Sequence, residues 1–403
     1  MQFGIDTLLP ASPLARFLVG KKIGVLAHPA SVDREMVHLG EKLSWLRIRP
    51  EIYFGPEHGF GGEAQDMVGV SDARTEGGIP IRSLYGENEA DLVPKEEDLR
   101  GLSVLLMDLA DVGARYYTFV WTCLIALRKA ASLKVPVVLL DRPNPIGRTI
   151  EGRLLKPPFR SFVGLEPVPV RHGMTVGEVV ALFAARENIS PDLFSVVSCE
   201  GMPREADDAQ APEWDRAFVM PSPNMPTWET ALVYPGGCLL EGTNLSEGRG
   251  TTRPFELVGA PWLDGRKLAQ ALVALELPGF AVRPLTFLPQ FQKHAKTVCG
   301  GVQIHVTDRR TFLPVATYTA LIALAHHHHP DDFRFRTERY EFRDDVPALD
   351  LLAGDGETRE RITRGESARD IAMDLSRIGD AERAFLPEAR AALTSYATGR
   401  AFR

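Results

Sequence analysis

Apolar residues in the first half of the chain fall in short runs separated by segments of helical spacing. This is the rhythm of strands and crossover helices in a parallel sheet. Residues 22–28, 50–54, 103–109 and 136–141 read as four strands, each followed by polar or Gly/Pro-rich sequence. Residues 32–46, 117–133 and 176–187 repeat apolar positions at helical intervals. The last has a start signal, because Thr175 with Glu178 three residues on matches a capping box. From about Pro261 the texture changes to a helix (264–275), strands (280–287 and 302–306), a long helix (314–328) and closing helices (368–377 and 382–396). The expected fold class is α/β. A Rossmann-like, mostly parallel sheet spans residues 1–260 and a smaller α+β domain spans 261–403, no low-complexity linker fixing the boundary to better than about 30 residues.

In open parallel sheets ligands bind beyond the carboxyl ends of the strands, where loops converge. Three such loops carry the unusual residues: 55–60, 110–118 and 141–145. Glu57 stands among glycines 55, 59, 61 and 62, so a sharply turned backbone can bring its carboxyl against a ligand as a general acid; a turn glutamate with its charge in water is the alternative. Asp111, Arg115, Tyr116 and Tyr117 can hold a polar ligand or form a structural ion pair with core aromatics. Asp141 is either a strand-end ligand or base, or a turn cap. His172, before the helix at 176, reads as a catalyst or as a local hydrogen-bond partner. Residues 221–259 crowd prolines and glycines among Asn224, Tyr234, Glu241, Asn244, Arg249 and Thr251, which suggests one long, irregular and functional backbone.

Composition narrows the classes. With 403 residues, 44% apolar and 25% charged, the chain is an ordinary globular protein, so disorder, collagen and coiled coil are excluded. A net charge of −7 with no basic block gives nucleic acid no electrostatic footprint. The four cysteines are too far apart for zinc or thioredoxin chemistry and are expected to be reduced. No run of about 18 apolar residues predicts membrane insertion, and residues 1–10 lack signal-peptide character, so a cytoplasmic location is expected, export remaining open if a leader preceded them. Neither a dinucleotide fingerprint, a Walker loop nor a nucleophile elbow occurs. The His326–His329 run closes a helix, where imidazoles complement the terminus, so no metal and no cofactor are expected.

Taken together, Gly-Pro-Glu-His-Gly (55–59), Asp-Val-Gly-Ala-Arg-Tyr-Tyr-Thr (111–118), Asp-Arg-Pro-Asn-Pro (141–145), Arg-His-Gly-Met-Thr-Val-Gly-Glu (171–178), Ser-Pro-Asn-Met-Pro (222–226) and Glu-Gly-Thr-Asn-Leu-Ser-Glu-Gly-Arg-Gly-Thr (241–251) resemble the exo-acting β-N-acetylmuramidases of the NamZ type. The resemblance runs over nearly the whole chain. It implies a bacterial glycoside hydrolase that removes single N-acetylmuramic acid units from the non-reducing ends of peptidoglycan fragments, with its site in a cleft between two domains. Glycoside hydrolysis usually needs two carboxyl groups. Glu57 is the acid candidate, with Asp111, Asp141, Glu241 or Glu178 as its partner. Arg115, Arg249 and His172 are candidate contacts for the lactyl carboxylate, Asn224 and Asn244 for the acetamido group, Tyr117 for stacking, and His58 and Glu178 for further substrate contact. A non-catalytic saccharide-binding protein, or a hydrolase of a related glycan, is the alternative.

Overall fold

The computed structural model describes residues 1–65, 67–202 and 215–397 of the chain. Seven strands form the larger sheet: β1 Ile23–Ala27, β2 Ile52–Gly55, β3 Ala73–Arg74, β4 Pro80–Ser83, β5 Val104–Asp108, β6 Val137–Leu140 and β7 Phe194–Val197. Their order is β3-β4-β2-β1-β5-β6-β7, parallel except for β3 on the edge. Strands β1, β2, β5, β6 and β7 are buried along their whole length, as expected of strands covered by helices on both faces. The chain leaves β1 toward β2 on one side and returns at β5 on the other, so the loops after β2 and β5 diverge at the carboxyl edge.

A second, three-stranded antiparallel sheet has the order β8-β10-β9, from β8 Leu257–Ala260, β9 Phe280–Phe287 and β10 Cys299–Val306. Edge position lets β9 carry Pro284, which could not donate to a second neighbour. The helix Pro314–His328 packs against the helices Trp228–Gly237, Gly265–Val273 and Ala368–Ser376 and is buried from Pro314 through Ala325.

Most sequence-predicted elements are present, with three differences. The helix expected over 32–46 begins only at Leu39, because residues 32–38 close a tight loop: Val32 bridges His38, Met36 has φ 62°, and Asp33 accepts the Glu35 and Val37 amides. The stretch 221–259 is not one irregular loop. It contains the helix Trp228–Gly237, a 3-10 turn Cys238–Gly242 and the start of the second sheet. Gly236 there serves close packing rather than turning, since a Cβ on it would collide with the Pro314 carbonyl, whereas Gly248 and Gly250 turn the chain at φ 76° and 78°. Strand β8 already belongs to the second sheet, ahead of residue 261.

Buried ionic groups join the two sheets' surroundings. Glu151 is fully buried, and its Oε1 accepts the Ala316 amide at 2.8 Å. It thereby caps the helix Pro314–His328, whose own N-cap, Leu313, makes no side-chain cap bond. Burial raises the Glu151 carboxyl to about 7, against the opposing pull of the Ala316 amide and Arg171. Arg115 is equally buried and donates to three carbonyls: Arg153 and Val168 at 2.9 Å and Leu352 at 2.8 Å. The C-terminal helix Asp380–Tyr396 returns to the first half, where the Tyr396 hydroxyl donates to the Ile189 carbonyl at 2.7 Å.

Because the folded state raises the Glu151 carboxyl above its ordinary range, it binds the proton more tightly than the unfolded chain does. Its contribution is complete below about pH 4.5 and is lost as pH rises through about 7. Glu151→Gln keeps an acceptor for the Ala316 amide and cannot ionise, so urea denaturation at pH 5 and pH 8 is expected to show a pH-dependent loss smaller than wild type's by roughly 3 kcal/mol. Arg115→Met strands the carbonyls its guanidinium now satisfies, and is expected to cost about 3 kcal/mol or more in the same assay.

Candidate active site

Strand β2 ends at Gly55, and the turn that follows delivers Glu57 to the carboxyl edge of the sheet. The Gly59 amide donates to the Pro56 carbonyl at 2.9 Å, with His58 at φ 70° and Gly59 at φ 82°. His58 Nδ1 lies 2.8 Å from the Ala64 carbonyl oxygen, so Nδ1 carries a proton and Nε2 is the other ring nitrogen available to the site. After β5, the chain enters the helix Phe119–Ser132 through Thr118. A threonine at an N-cap usually accepts a backbone N–H. Here the Thr118 hydroxyl makes no cap bond and instead donates to Glu57 Oε2 at 2.6 Å.

Glu57, His58, Tyr117 and Thr118 line one recess with Ser222, Asn224, Tyr234, Glu241, Arg249, Phe255, Tyr340 and Glu341. Its walls therefore come from both halves of the chain. Glu241, on the 3-10 turn after the helix Trp228–Gly237, is buried; its Oε1 accepts from Arg249 at 2.7 Å and its Oε2 from the Tyr340 hydroxyl at 2.6 Å. Both of its oxygens thus accept a hydrogen bond, one of them from a cation. Glu341 Oε2 accepts the Tyr85 hydroxyl at 3.2 Å. The Tyr117, Tyr234 and Phe255 rings meet edge-on, with centroids 5.7 Å and 4.9 Å apart along the series, and make an apolar wall. Burial pushes the Tyr117 hydroxyl well above the usual tyrosine range, with Ser222 opposing. Asn224 is held at the rim by the bond from its Nδ2 to Gln65 Oε1 at 2.8 Å.

Of the residues singled out from the sequence, Glu57, His58, Tyr116, Tyr117, Asn224, Tyr234, Glu241 and Arg249 meet in this recess. The others lie elsewhere. Arg115 is consumed by backbone carbonyls, with no exposed surface. Asp141 is buried and serves as an anchor, its Oδ1 accepting the Gly177 amide at 2.7 Å and its Oδ2 the Thr175 hydroxyl at 2.8 Å. Burial raises it to about 6, partly offset by the Gly177 amide. Glu178 completes the capping box at Thr175 and pairs with the buried Arg148. Asp111 accepts the Gly113 amide at 2.6 Å and faces a neighbouring recess with Phe3, Met36, Arg142 and Phe218. His172 Nδ1 accepts the Met174 amide at 3.1 Å, and its Nε2 lies 3.6 Å from Asp111. Asn244 is tied outside the site to the Asp332 carbonyl and the Arg334 amide.

Sequence reasoning passed over Thr118, Ser222, Tyr340 and Glu341. Thr118 and Ser222 stood within quoted motifs, but nothing local in the sequence marks the contact that Thr118 makes with Glu57. Residues 340–341 lie in a tight turn with neither Gly nor Asn, which leaves no mark in the sequence. Among the described residues, no group of three or more His, Cys, Asp or Glu side chains is placed to hold a metal ion, and no helix is long and apolar enough to cross a membrane.

Comparison with known proteins assigns both halves. Residues 23–229 match the family model for the N-terminal part of the exo-β-N-acetylmuramidase NamZ, and residues 232–390 match that for its C-terminal part. The chain is 43% identical over 381 residues to the peptidoglycan β-N-acetylmuramidase NamZ of Bacillus subtilis (strain 168), covering 92% of this chain and 86% of that one. Two crystal structures of DUF1343 family proteins from Bacteroides fragilis share the fold. One has a TM-score of 0.80 at 28% identity, covering 98% of each chain. The other has a TM-score of 0.69 at 25% identity, covering 97% of this chain and 98% of that one. The chain belongs to the exo-β-N-acetylmuramidase NamZ family.

Proposed function

We propose that this protein hydrolyses the glycosidic bond of a terminal, non-reducing N-acetylmuramic acid in peptidoglycan fragments, with Glu57 as general acid and Glu241 as its anionic partner. One observation carries the assignment of roles: of the three carboxyl groups that line the recess, Glu57 is held by a neutral hydroxyl and Glu241 by a guanidinium. Glu57 has one oxygen occupied by the Thr118 hydroxyl, which leaves Oε1 to carry the proton to the leaving oxygen. Glu241, held by Arg249 and Tyr340, faces the positive charge that develops at the anomeric carbon. In this reading the rings of Tyr117, Tyr234 and Phe255 receive the apolar face of the sugar, and Asn224 meets its acetamido group. Arg249 supplies positive potential near the lactyl carboxylate. All four cysteines are free, which fits a reducing compartment, and we place the reaction in the cytoplasm.

Glu57→Gln is expected to lower turnover of a MurNAc-GlcNAc disaccharide by about 10²–10⁴-fold while leaving the melting temperature near the wild-type value. Mass analysis of the released sugars reads the first quantity, and calorimetry the second. A wild-type protein that binds the disaccharide and never cleaves it would show a binding module instead. Thr118→Val removes the hydroxyl that fixes the orientation of the Glu57 carboxyl, so kcat on the disaccharide is expected to fall by about 10-fold with KM little changed. Thr118→Ser should retain most of the wild-type kcat.

A further inference from the structure

The chain segment that brings Tyr340 and Glu341 to the recess is a two-residue hairpin turn. The Tyr340 amide donates to the Arg343 carbonyl at 2.8 Å, and the Arg343 amide returns the bond at 3.0 Å. Between them Glu341 has φ 46° and Phe342 φ 67°. Two successive positive φ values in a two-residue loop define a type I′ turn, a geometry normally taken by Asn-Gly, Asp-Gly or Gly-Gly. Glutamate and phenylalanine are poorly suited to it, because their Cβ atoms crowd the backbone in the left-handed region.

Contacts from the opposite half hold both residues there. Phe342 packs its ring 5.7 Å from Tyr85 and 6.3 Å from Phe162. The Tyr85 hydroxyl donates to Glu341, which is 4% exposed and lines the recess with Glu57 and Glu241. A backbone kept in an unfavourable conformation to present a buried carboxyl group to a binding site points to a function for that group. The catalytic pair proposed above does not use it.

We infer that Glu341 is a specificity-determining residue: its carboxylate accepts a hydrogen bond from a hydroxyl of the terminal sugar, the one that is free only at a non-reducing chain end. This rests on the glycosidase reading above. An internal sugar carries a glycosidic oxygen at that place and has no proton to give. It would leave a buried carboxylate facing an acceptor, and sites built to bond a hydroxyl reject analogues lacking it strongly.

The test uses MurNAc-GlcNAc and the same disaccharide with the 4-hydroxyl of its muramic acid methylated, assayed with wild type, Glu341→Gln and Glu341→Asn. Failure of the wild type to cleave the unmodified disaccharide overturns the glycosidase reading and the inference that depends on it. With that cleavage in hand, the wild type is expected to prefer the free hydroxyl by about 100-fold or more in kcat/KM. Both variants should lose at least about 10-fold on the unmodified substrate and discriminate less than about 5-fold, while Glu341→Asn, better suited to the turn, melts no lower than wild type. If turnover in a variant falls below detection, the Kd ratio of MurNAc to its 4-O-methyl ether gives the same comparison. Wild-type indifference to methylation, or full discrimination retained in both variants, overturns the role of Glu341 and leaves the glycosidase reading intact.

Discussion

A buried polar seam decides where the two halves of this protein stand, and so whether there is a site at all. Glu151 and Arg171 form a β-bridge in the first half, yet the Glu151 carboxyl caps a helix in the second. Arg115 draws together carbonyls from residues 153, 168 and 352. Burial lowers the Arg115 and Arg171 guanidinium groups to about 10, still well above neutrality, so both remain cationic in the interior. Charges buried this deeply tolerate little misalignment, because each lost partner leaves a desolvated group behind. The seam thus acts as a register mark rather than as a source of large net stability, and the apolar cluster that runs across both halves supplies the bulk of the cohesion.

With that register set, the recess takes residues from distant stretches of sequence and gives each a distinct electrostatic setting. Glu57 meets a neutral hydroxyl, Glu241 a guanidinium and a phenol, and Glu341 the Tyr85 phenol. Three of the lining residues, His58, Phe255 and Glu341, hold positive φ values of 70°, 64° and 46°. Non-glycine residues rarely adopt this conformation, and a concentration of them around one recess marks the place where packing elsewhere sustains local strain.

Much of this was readable in the chain, and the limits follow from physics. Fully apolar strands such as Ile23–Ala27 and Val137–Leu140 declare a doubly covered sheet, and the Thr175–Glu178 box declares a helix start, because both signals are local. Glycines are ambiguous: between 221 and 259 they resemble loop punctuation, whereas Gly236 is small so that one helix can rest on the start of another. Asp141 and Arg115 look like chemistry in the sequence; in the structure both are buried and bonded to backbone groups. Thr118 and Glu341 depend on contacts 61 and 256 residues away, which no local pattern encodes.

The junction between the two family matches, at residues 229 and 232, falls within the first turns of the helix Trp228–Gly237. Downstream of it, the last helix crosses back to lie on the helix Val176–Arg186, with Arg186 and Glu388 paired at 2.7 Å. The last helix thus packs on the part that the first family model matches. Exchange of one half for that of a distant relative would have to carry matching seam and helix-contact residues with it.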